Sequence, residues 1–448
     1  MSLTATTQAK SVITMEESAV FHRSQNKEYG TACGGKGVYL FHPDGSKTLD
    51  GSSGAAVSCL GHGHPVVIEA IVDQARKLAF AHSSFFTNDP AEELAHLLTS
   101  LSDGAFSKVL FLSSGSEAVE SSIKLARHYH FARGESQRVN FIGREYGYHG
   151  NTLGALSAGH HPFRRGPFAP LLSPAFHHVA PCFYSHDALA SEDESSYVDR
   201  LIAEYEAKFQ ALGPSTVAAV ILEPMAGATL GAVPAARGYL SRLRELCDKY
   251  GALLIFDEVM CGIGRAGTFH AWQSLGNVKP DLQAVGKGLG GGYQPISAVL
   301  ISPKIHQALK SSHETKPFIS GHTYQDHSVA CAAALATQRT IIKQDLLSNV
   351  QRMGDLLEQE LHKHVPLVKE VRGLGLFRTI EFITPPSGQI ASKVTARCLS
   401  NGAAVYLCSG GLDAILFAPP YIISEQEVKE LVQIFAKSTN EIIDESCG

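Results

Sequence analysis

The hydrophobic positions of this chain fall into two patterns that alternate along it. Short runs of consecutive apolar residues predict strands that are buried on both faces, as parallel strands are. The clearest of these runs are 109–112, 139–142, 217–222 and 253–256, and a further such strand leads to Lys287. Between the runs, apolar residues recur at helical spacing. Because strands that alternate with helices form parallel sheets, the pattern predicts an α/β fold.

Several helix boundaries are predicted by local signals. Ser114 and Glu117 have the spacing of a capping box, so a helix should start there and run towards Arg133. The other predicted helices cover 65–101 with a break near 83–89, 237–250, 328–342, a segment ending near 365, and the stretch after 425. We also expect a short helix at 16–25, a hairpin at 38–50, and one long loop over the aperiodic segment 160–199.

The order of these elements predicts three parts. An N-terminal arm and part of a small domain are expected at residues 1–65, and a large domain with the alternating strands and helices at 66–330. The alanine-rich helix near 328–342 should lead into a smaller C-terminal domain at 331–448. No internal repeat or low-complexity tract is visible.

Composition excludes several classes of function. The 448 residues are 44% hydrophobic and carry a net charge of -5, so there is no basic surface to attract nucleic acid. No apolar run reaches the length of about 18 residues that a membrane helix needs. Nine cysteines without a C-x-x-C pair indicate reduced thiols, and Lys10 is the only basic residue before Glu16. We therefore expect a cytoplasmic protein that binds neither nucleic acid nor membranes.

Asp257 and Lys287 are the first candidates for chemistry. Asp257 ends a buried strand, and Lys287 stands among glycines that leave its amine open to approach. A lysine that exchanges covalent partners needs a neutral amine and a carbonyl to attack. Pyridoxal phosphate supplies such a carbonyl, and its ring nitrogen needs a carboxylate, for which Asp257 is the candidate.

Other interpretations of the same residues remain open at this stage. Asp257-Glu258 also fits the acidic end of an ATPase strand, and residues 262–267 and 286–291 both satisfy G-x-G-x-x-G. However, the chain has no G-x-x-x-x-G-K-[ST] motif for phosphate. His62 and His64 form a His-x-His pair without a third ligand, so no metal site is expected.

The start of the helix at Ser114 is a candidate anion site. A strand, a turn of small residues and a capped helix present free backbone N–H groups at the positive end of the helix dipole. Tyr148 and His149 follow the next strand, and Glu223 follows the third. Since ligands bind at the carboxyl ends of such strands, these residues should meet at one edge of the sheet.

Five motifs in this order resemble the class III pyridoxal-phosphate aminotransferases. They are Ser114-Gly-Ser-Glu117, Tyr148-His-Gly150, Glu223-Pro, Asp257-Glu-Val259 with Gly262-x-Gly-Arg-x-Gly267, and Gly286-Lys-Gly288. The resemblance extends from about residue 37 to 423. It implies the fold-type-I architecture, with a mostly parallel seven-stranded sheet flanked by helices in a large domain that binds the cofactor, and a smaller α+β domain.

The resemblance also implies a role for each matching residue. Lys287 would form the internal Schiff base, and Asp257 would contact the pyridinium nitrogen. Gly115 and Ser116 would donate N–H groups to the phosphate, while Tyr148 and Val259 would lie on the two ring faces. Ser114, His149 and Glu223 are further expected cofactor contacts. Thr323 would reach the phosphate of the neighbouring subunit, which implies a homodimer with shared active sites.

The implied function is transfer of an amino group from an amine or omega-amino acid to a keto acid. Dialkylglycine decarboxylation, aminomutation and epimerisation would use the same Lys287 and Asp257, and they remain alternatives within the family. A nucleotide-binding ATPase-like module is the alternative from another class. A catalytically inactive scaffold is disfavoured because no expected cofactor contact is substituted.

Two positions depart from the relatives that act on ornithine or 4-aminobutyrate. Ala228 stands where these relatives have a glutamate, and Leu416 stands where they have the arginine that binds a substrate carboxylate. No arginine follows Arg397. Because bidentate binding of a carboxylate favours arginine, other arginines must be considered. The candidates for this substrate contact are Arg164, Arg165 and Arg378.

Overall fold

A seven-stranded sheet forms the centre of the larger part of the chain, whose computed structural model describes residues 12–13 and 18–447. Every neighbouring pair in this sheet is parallel except those that involve Ser297–Ile301, which is antiparallel to both of its neighbours. The mostly parallel sheet predicted for the large domain is therefore confirmed. In spatial order the strands are Lys108–Leu112, Ser297–Ile301, Leu282–Val285, Leu253–Asp257, Val217–Leu222, Asn140–Arg144 and Phe176–Val179.

The central strands are continuous apolar runs because helices cover both faces of the sheet. All residues of Val217–Leu222 and Leu253–Asp257 are buried. The register places Asp257 opposite Ala284, so the ends of these two strands are level. Lys287 follows the second of them by a few residues. The sheet thus brings Asp257 and Lys287 to one edge.

Helices flank this sheet and connect its strands. The longer ones pack apolar faces on the strands and leave charged faces to solvent. In this part of the chain the α-helices are Ser53–Ala56, Pro65–Lys77, Asp89–Ser100, Gly115–Ala132, Leu153–Ala158, Pro162–Arg165, Tyr184–Asp187, Glu194–Leu212, Tyr239–Tyr250, Ala271–Ser274, Pro303–Ser311 and Ser328–Lys343. Short 3-10 helices cover Gly166–Leu171, Pro214–Thr216 and Lys287–Leu289.

The last part of the chain forms a second layer of helices on an antiparallel sheet. Its strands lie in the order Val368–Leu374, Phe377–Phe382, Ala414–Phe417 and Tyr406–Leu407, and its helices are Leu346–His364, Ala391–Ser400 and Glu425–Cys447. A further sheet joins the two ends of the chain, because Ala403–Ala404 pairs with Lys47–Asp50, which continues into Tyr39–Phe41 and Gly34–Lys36. Two small pairs, Val12–Ile13 with Tyr29–Gly30 and Met225–Ala226 with Val233–Pro234, complete the strands.

Two predicted elements are wrong. The segment 160–199 is not one loop, because it contains the edge strand Phe176–Val179 and the start of the helix Glu194–Leu212. This strand is short and half-buried, so it lacks the apolar run of a central strand. Residues 18–25 are not helical, while residues 16–17 of that predicted helix lie outside the described residues. The Ser18 hydroxyl accepts the Val20 N–H, a local bond that competes with helix formation.

The antiparallel strand Ser297–Ile301 has no counterpart among the predicted elements. None of the helices in residues 18–447 is long and apolar enough to cross a membrane.

Candidate active site

A cleft with about 630 Å³ of empty space lies beyond the carboxyl ends of the central strands. It contains residues from five separate stretches of sequence, which the sheet and the helix Gly115–Ala132 hold together. The residues that line it are Gly115, Ser116, Tyr148, His149, Gly150, Glu223, Ala228, Asp257, Val259, Met260 and Lys287. Most of the residues predicted to contact a cofactor therefore meet at one place.

The carboxylate of Asp257 is held at both of its oxygens. Oδ1 accepts the Val259 N–H at 3.0 Å, and Oδ2 lies 2.8 Å from His149 Nδ1. Because a carboxylate only accepts hydrogen bonds, Nδ1 of His149 carries the proton in this pair. Asp257 is 4% exposed. The strand end and the histidine therefore give this acid one fixed orientation within the cleft.

Lys287 begins a single 3-10 turn between two glycines. Its φ of 42° lies in the left-handed region that non-glycine residues rarely adopt. Such strain is typical of functional positions, where the surrounding structure imposes it. Burial lowers the pKa of the Lys287 amine to about 8, although the Asp257 and Glu223 carboxylates act in the opposite direction. The neutral amine needed for attack on a carbonyl is thus accessible near neutral pH.

The lowered pKa of Lys287 predicts the pH dependence of its reactivity. In protein stripped of cofactor, acylation of Lys287 by an amine-directed reagent should rise with pH and be half-maximal near pH 8, because only the neutral amine attacks. Peptide mass spectrometry measures the modified fraction. In the urea-unfolded chain the midpoint should move up towards the ordinary lysine value of about 10.4. An equal midpoint in both states would contradict the effect of burial.

The helix Gly115–Ala132 begins with the predicted capping box. The Ser114 hydroxyl accepts the Glu117 N–H at 3.3 Å, and Glu117 Oε2 accepts the N–H groups of Ser113 and Ser114 at 2.8 and 3.2 Å. Ser114 therefore serves as a cap through both its hydroxyl and its N–H. The N–H groups of Gly115 and Ser116 come first in the helix, where the helix itself provides no acceptor. They form an anion-binding terminus at the cleft.

Gly115 is required by the close approach of Val259. A Cβ on residue 115 would lie 2.7 Å from Val259 Cγ1, which is closer than van der Waals contact allows. Gly150 is similarly constrained, because its φ is 130° and a Cβ there would lie 2.5 Å from Ser116 Oγ. The glycines keep the floor of the cleft free of side chains next to the helix terminus.

Glu223 positions the segment that carries Tyr148. Its Oε2 accepts the Tyr148 N–H at 3.2 Å, and its Oε1 accepts the Gly227 N–H at 2.9 Å. Burial raises the pKa of the Glu223 carboxyl, and the neighbouring Asp257 raises it further. Arg144 donates to the Glu223 carbonyl at 2.6 Å. Glu223 thus orders the loop beside Tyr148 and also lines the cleft.

Glu258, next to Asp257, has a different environment. Its carboxyl accepts the N–H groups of Ala271 and Trp272 at 2.8 and 2.9 Å, and it is completely buried. Burial raises the pKa of Glu258 to about 8. It does not line the cleft, so the ATPase-like interpretation lacks the second acid that it requires at the site.

The residues of the cleft fit pyridoxal phosphate. An amine with lowered pKa suits its aldehyde, and the oriented Asp257 suits a protonated ring nitrogen. The helix terminus, which a side chain on Gly115 would close, suits the phosphate. Nε2 of His149 is buried without a partner among the described residues, which leaves a polar atom for a ligand or water. The cofactor expected from the sequence thus matches each chemical feature of the cleft.

Five of the residues predicted for the site do not line the cleft of this chain, namely Ser114, Thr323, Arg164, Arg165 and Arg378. Thr323 is exposed on the loop before the helix Ser328–Lys343. Arg165 donates to the Gly159 carbonyl at 2.9 Å. Arg378 is buried in the C-terminal sheet and forms ion pairs with Asp355 and Glu358. The structure therefore does not bring Arg378 near Lys287.

Arg164 approaches the cleft from its rim. Its guanidinium lies 4.8 Å from the centre of the Tyr148 ring, and Tyr148 lines the cleft. Leu416 is fully buried in a cluster of apolar residues with Phe377 and Ala418. Ala228 does line the cleft. Sequence reasoning missed Met260 and Gly150 as lining residues; Gly150 could have been inferred from its place after Tyr148-His149.

The comparisons with known proteins extend over almost the whole chain. The family model described as Aminotransferase class-III matches residues 22–438. An uncharacterized aminotransferase of Schizosaccharomyces pombe is 39% identical over 436 residues, which cover 94% of each chain. Gamma aminobutyrate transaminase 3 of Solanum lycopersicum is 33% identical, over 90% of this chain and 79% of its own. The solved omega transaminase from Pseudomonas jessenii in complex with PMP has a TM-score of 0.87 at 32% identity, over 93% of each chain.

Proposed function

Since this chain belongs to the class III aminotransferases, which are fold-type-I enzymes that use pyridoxal phosphate, we propose that Lys287 is its catalytic lysine. The enzyme would transfer an amino group from an amine or omega-amino acid to a keto acid. The single observation that carries this proposal is the meeting of the Lys287 amine and the oriented Asp257 carboxylate in one cleft. The names of the tomato and Pseudomonas relatives support the donor class.

Pyridoxal phosphate, when bound, supplies an aldehyde that exchanges amines and a ring that withdraws electrons from the carbon bearing the amino group. Lys287 would hold the cofactor covalently and give way to the donor amine. Its Nζ would then take up and return the proton that moves during transfer. Asp257 would hold the ring nitrogen protonated, because its carboxylate is fixed by Val259 and His149.

The remaining cleft residues would orient the cofactor. The first-turn N–H groups of Gly115 and Ser116 would bind the phosphate. Tyr148 would lie against one face of the ring and Val259 against the other, and both line the cleft. Glu223 keeps Tyr148 in place through its backbone N–H. Ser114 acts one step away, as the cap that fixes the helix start.

The test combines purified holoenzyme with an amine donor and pyruvate. Transfer predicts alanine and the ketone or aldehyde of the donor in equal amounts. With donor alone, transfer stops after one equivalent per active site, because no acceptor regenerates the enzyme. Continued release of carbon dioxide, or of an isomer of the donor, from donor alone would favour the decarboxylase, aminomutase or epimerase alternatives.

We also propose that the enzyme is a homodimer in which Thr323 completes the partner's phosphate site. An exposed apolar cluster supports this assembly, because large apolar patches on a surface are typical of interfaces. Phe85 and Phe86 are 77% and 69% exposed and lie in ring contact at 6.4 Å, and Phe80 lies 5.8 Å from Tyr324, the neighbour of Thr323.

A homodimer predicts a mass in solution of twice the 48.0 kDa chain. Sedimentation equilibrium of the holoenzyme measures this mass, and Phe85→Asp combined with Phe86→Asp should shift the population towards monomer because charges would enter an apolar interface. Leu189→Asp, which changes an exposed apolar residue elsewhere, is the matched control. A wild-type holoenzyme that sediments as a monomer would refute the proposal.

A cytoplasmic location is proposed as well. The eight cysteines whose side chains the structure describes are all free, as expected in a reducing compartment. Fractionation of cells that express the native gene would test this location.

A further inference from the structure

The cleft lacks an evident partner for the carboxylate of a keto acid. Lys287 is the only lysine or arginine among its lining residues, and its amine is the reacting group of the proposed function. Asp257 and Glu223 add negative charge, which repels a second carboxylate. A keto acid therefore needs a cation that is near the cleft and is not already neutralised.

Most arginines near this region are engaged. Arg144 binds the Glu223 carbonyl, and Arg165 binds the Gly159 carbonyl. Arg372 bonds to Glu370 and Glu381, and Arg378 pairs with two carboxylates of the helix Leu346–His364. Releasing any of these guanidinium groups would leave a carboxylate or a carbonyl unpaired, at a cost that a substrate contact must first offset.

Arg164 differs from these arginines. Within residues 12–13 and 18–447, its guanidinium has neither a hydrogen bond nor an ion pair, and it lies over the ring of Tyr148 at 4.8 Å. The side chain is half-exposed. A guanidinium stacked on an aromatic ring keeps its N–H donors at the edge of the plane. Those donors are available to a carboxylate beside Tyr148.

The backbone that carries Arg164 is anchored to both halves of the chain. His161 precedes it in the sequence, and Nε2 of His161 lies 2.9 Å from the Ser409 hydroxyl. Ser409 donates its N–H to the carbonyl of Ala228 at 2.9 Å, and Ala228 lines the cleft. The helix Pro162–Arg165 is therefore held next to the wall of the cleft that Ala228 forms.

We infer that Arg164 binds the carboxylate of the keto-acid acceptor and is the residue that determines acceptor specificity. This inference rests on the proposed function. Two parallel N–H···O bonds from a guanidinium to a carboxylate outweigh a half-exposed stacking contact on Tyr148. An amine donor without a carboxylate makes no such bonds, and Arg164 then stays on the ring. Arg164 thus acts on the keto-acid acceptor and not on a donor that lacks a carboxylate.

The experiment compares wild-type holoenzyme with Arg164→Ala and Arg164→Lys, using pyruvate as acceptor and 1-phenylethylamine as a donor without a carboxylate. Arg164→Ala should raise KM for pyruvate about 10- to 100-fold, as loss of a charge-assisted pair does, with little change in kcat or in KM for the amine. Arg164→Lys should recover part of the loss. Propionate, a carboxylate that cannot react, should lose affinity by the same factor in a competition assay.

Two arginine variants serve as controls. Arg23 places a second positive charge near Tyr148, and Arg200 stacks on Tyr197 at 5.1 Å outside the cleft. Arg23→Ala and Arg200→Ala should leave KM for pyruvate unchanged. The inference would be overturned if Arg164→Ala changed the KM values for both substrates equally or changed neither. It would also be overturned if Arg23→Ala had the larger effect on KM for pyruvate. A wild-type enzyme without transfer activity would overturn the proposed function and this inference together.

Discussion

Replacing Lys287 by alanine should abolish amino transfer, with a fall in kcat of about 10⁴-fold, the upper end of the contribution of a positioned acid-base group. The variant loses two things at once. It has no amine to hold the cofactor covalently, and it lacks the amine that would move the proton during transfer. Steady-state assays with donor and pyruvate measure the fall. Mass spectrometry after borohydride reduction should find the cofactor attached to the wild-type chain and not to the Lys287→Ala variant.

The control for this variant is the replacement of a nearby lysine that does not line the cleft. Lys279 is exposed and donates to the carbonyl of Asp103, away from the cleft. Lys279→Ala should keep wild-type turnover and still carry reducible cofactor. Added methylamine should restore part of the activity of Lys287→Ala, because a small amine can enter the space that the side chain leaves. Full activity of Lys287→Ala without such an amine would remove the basis of the proposed function.

The central part of the fold was predictable because its determinants are local. Strands such as Val217–Leu222 are buried on both faces, so every residue is apolar and the run is visible in the sequence. The helix start at Ser114 depends on residues three apart, and the capping box forms as the spacing predicts. The edge strand Phe176–Val179 has solvent on one side and two histidines, so nothing distinguishes it from a loop.

The site was predictable as a set of positions but less so as a set of contacts. The order of motifs identified Lys287 and Asp257, since each stands at the end of a strand. The pairing of Asp257 with His149 joins residues 108 positions apart, and no local pattern encodes it. The sequence could not exclude Arg378 as a substrate contact, because its carboxylate partners, Asp355 and Glu358, lie on a separate helix. They become its neighbours only in the folded chain.

Asp257 and Glu258 show why adjacent residues of similar chemistry need the structure to be told apart. Side chains alternate along a strand end, so the two carboxyl groups point in different directions. Asp257 reaches the cleft, where His149 and Val259 orient it. Glu258 caps the short helix Ala271–Ser274 and accepts a further bond from Gln283 at 3.1 Å. One acid lines the cleft, and the other stabilises the fold around it.

This division predicts opposite results for two isosteric substitutions. Asp257→Asn should lower kcat by about 10²–10³-fold, the usual effect of removing one electrostatic partner of the reacting centre. The amide can still accept the Val259 N–H, and its NH2 can donate to Nδ1 of His149 once the imidazole proton moves to Nε2, which has no partner among the described residues. The fold should therefore be retained, but the amide carries no charge to keep a ring nitrogen protonated. Thermal unfolding should therefore change little, while stopped-flow measurement of the donor half-reaction reports the loss in the chemical step.

Glu258→Gln is the matched control, because Glu258 is the next residue in the sequence but does not line the cleft. A glutamine has the same shape but turns one acceptor into a donor facing the N–H groups of the helix start. Stability should fall by about 1–3 kcal/mol, the cost of a buried unsatisfied group, while kcat stays close to wild type. If Glu258→Gln lost turnover and Asp257→Asn lost only stability, the roles assigned to the two acids would have to be exchanged.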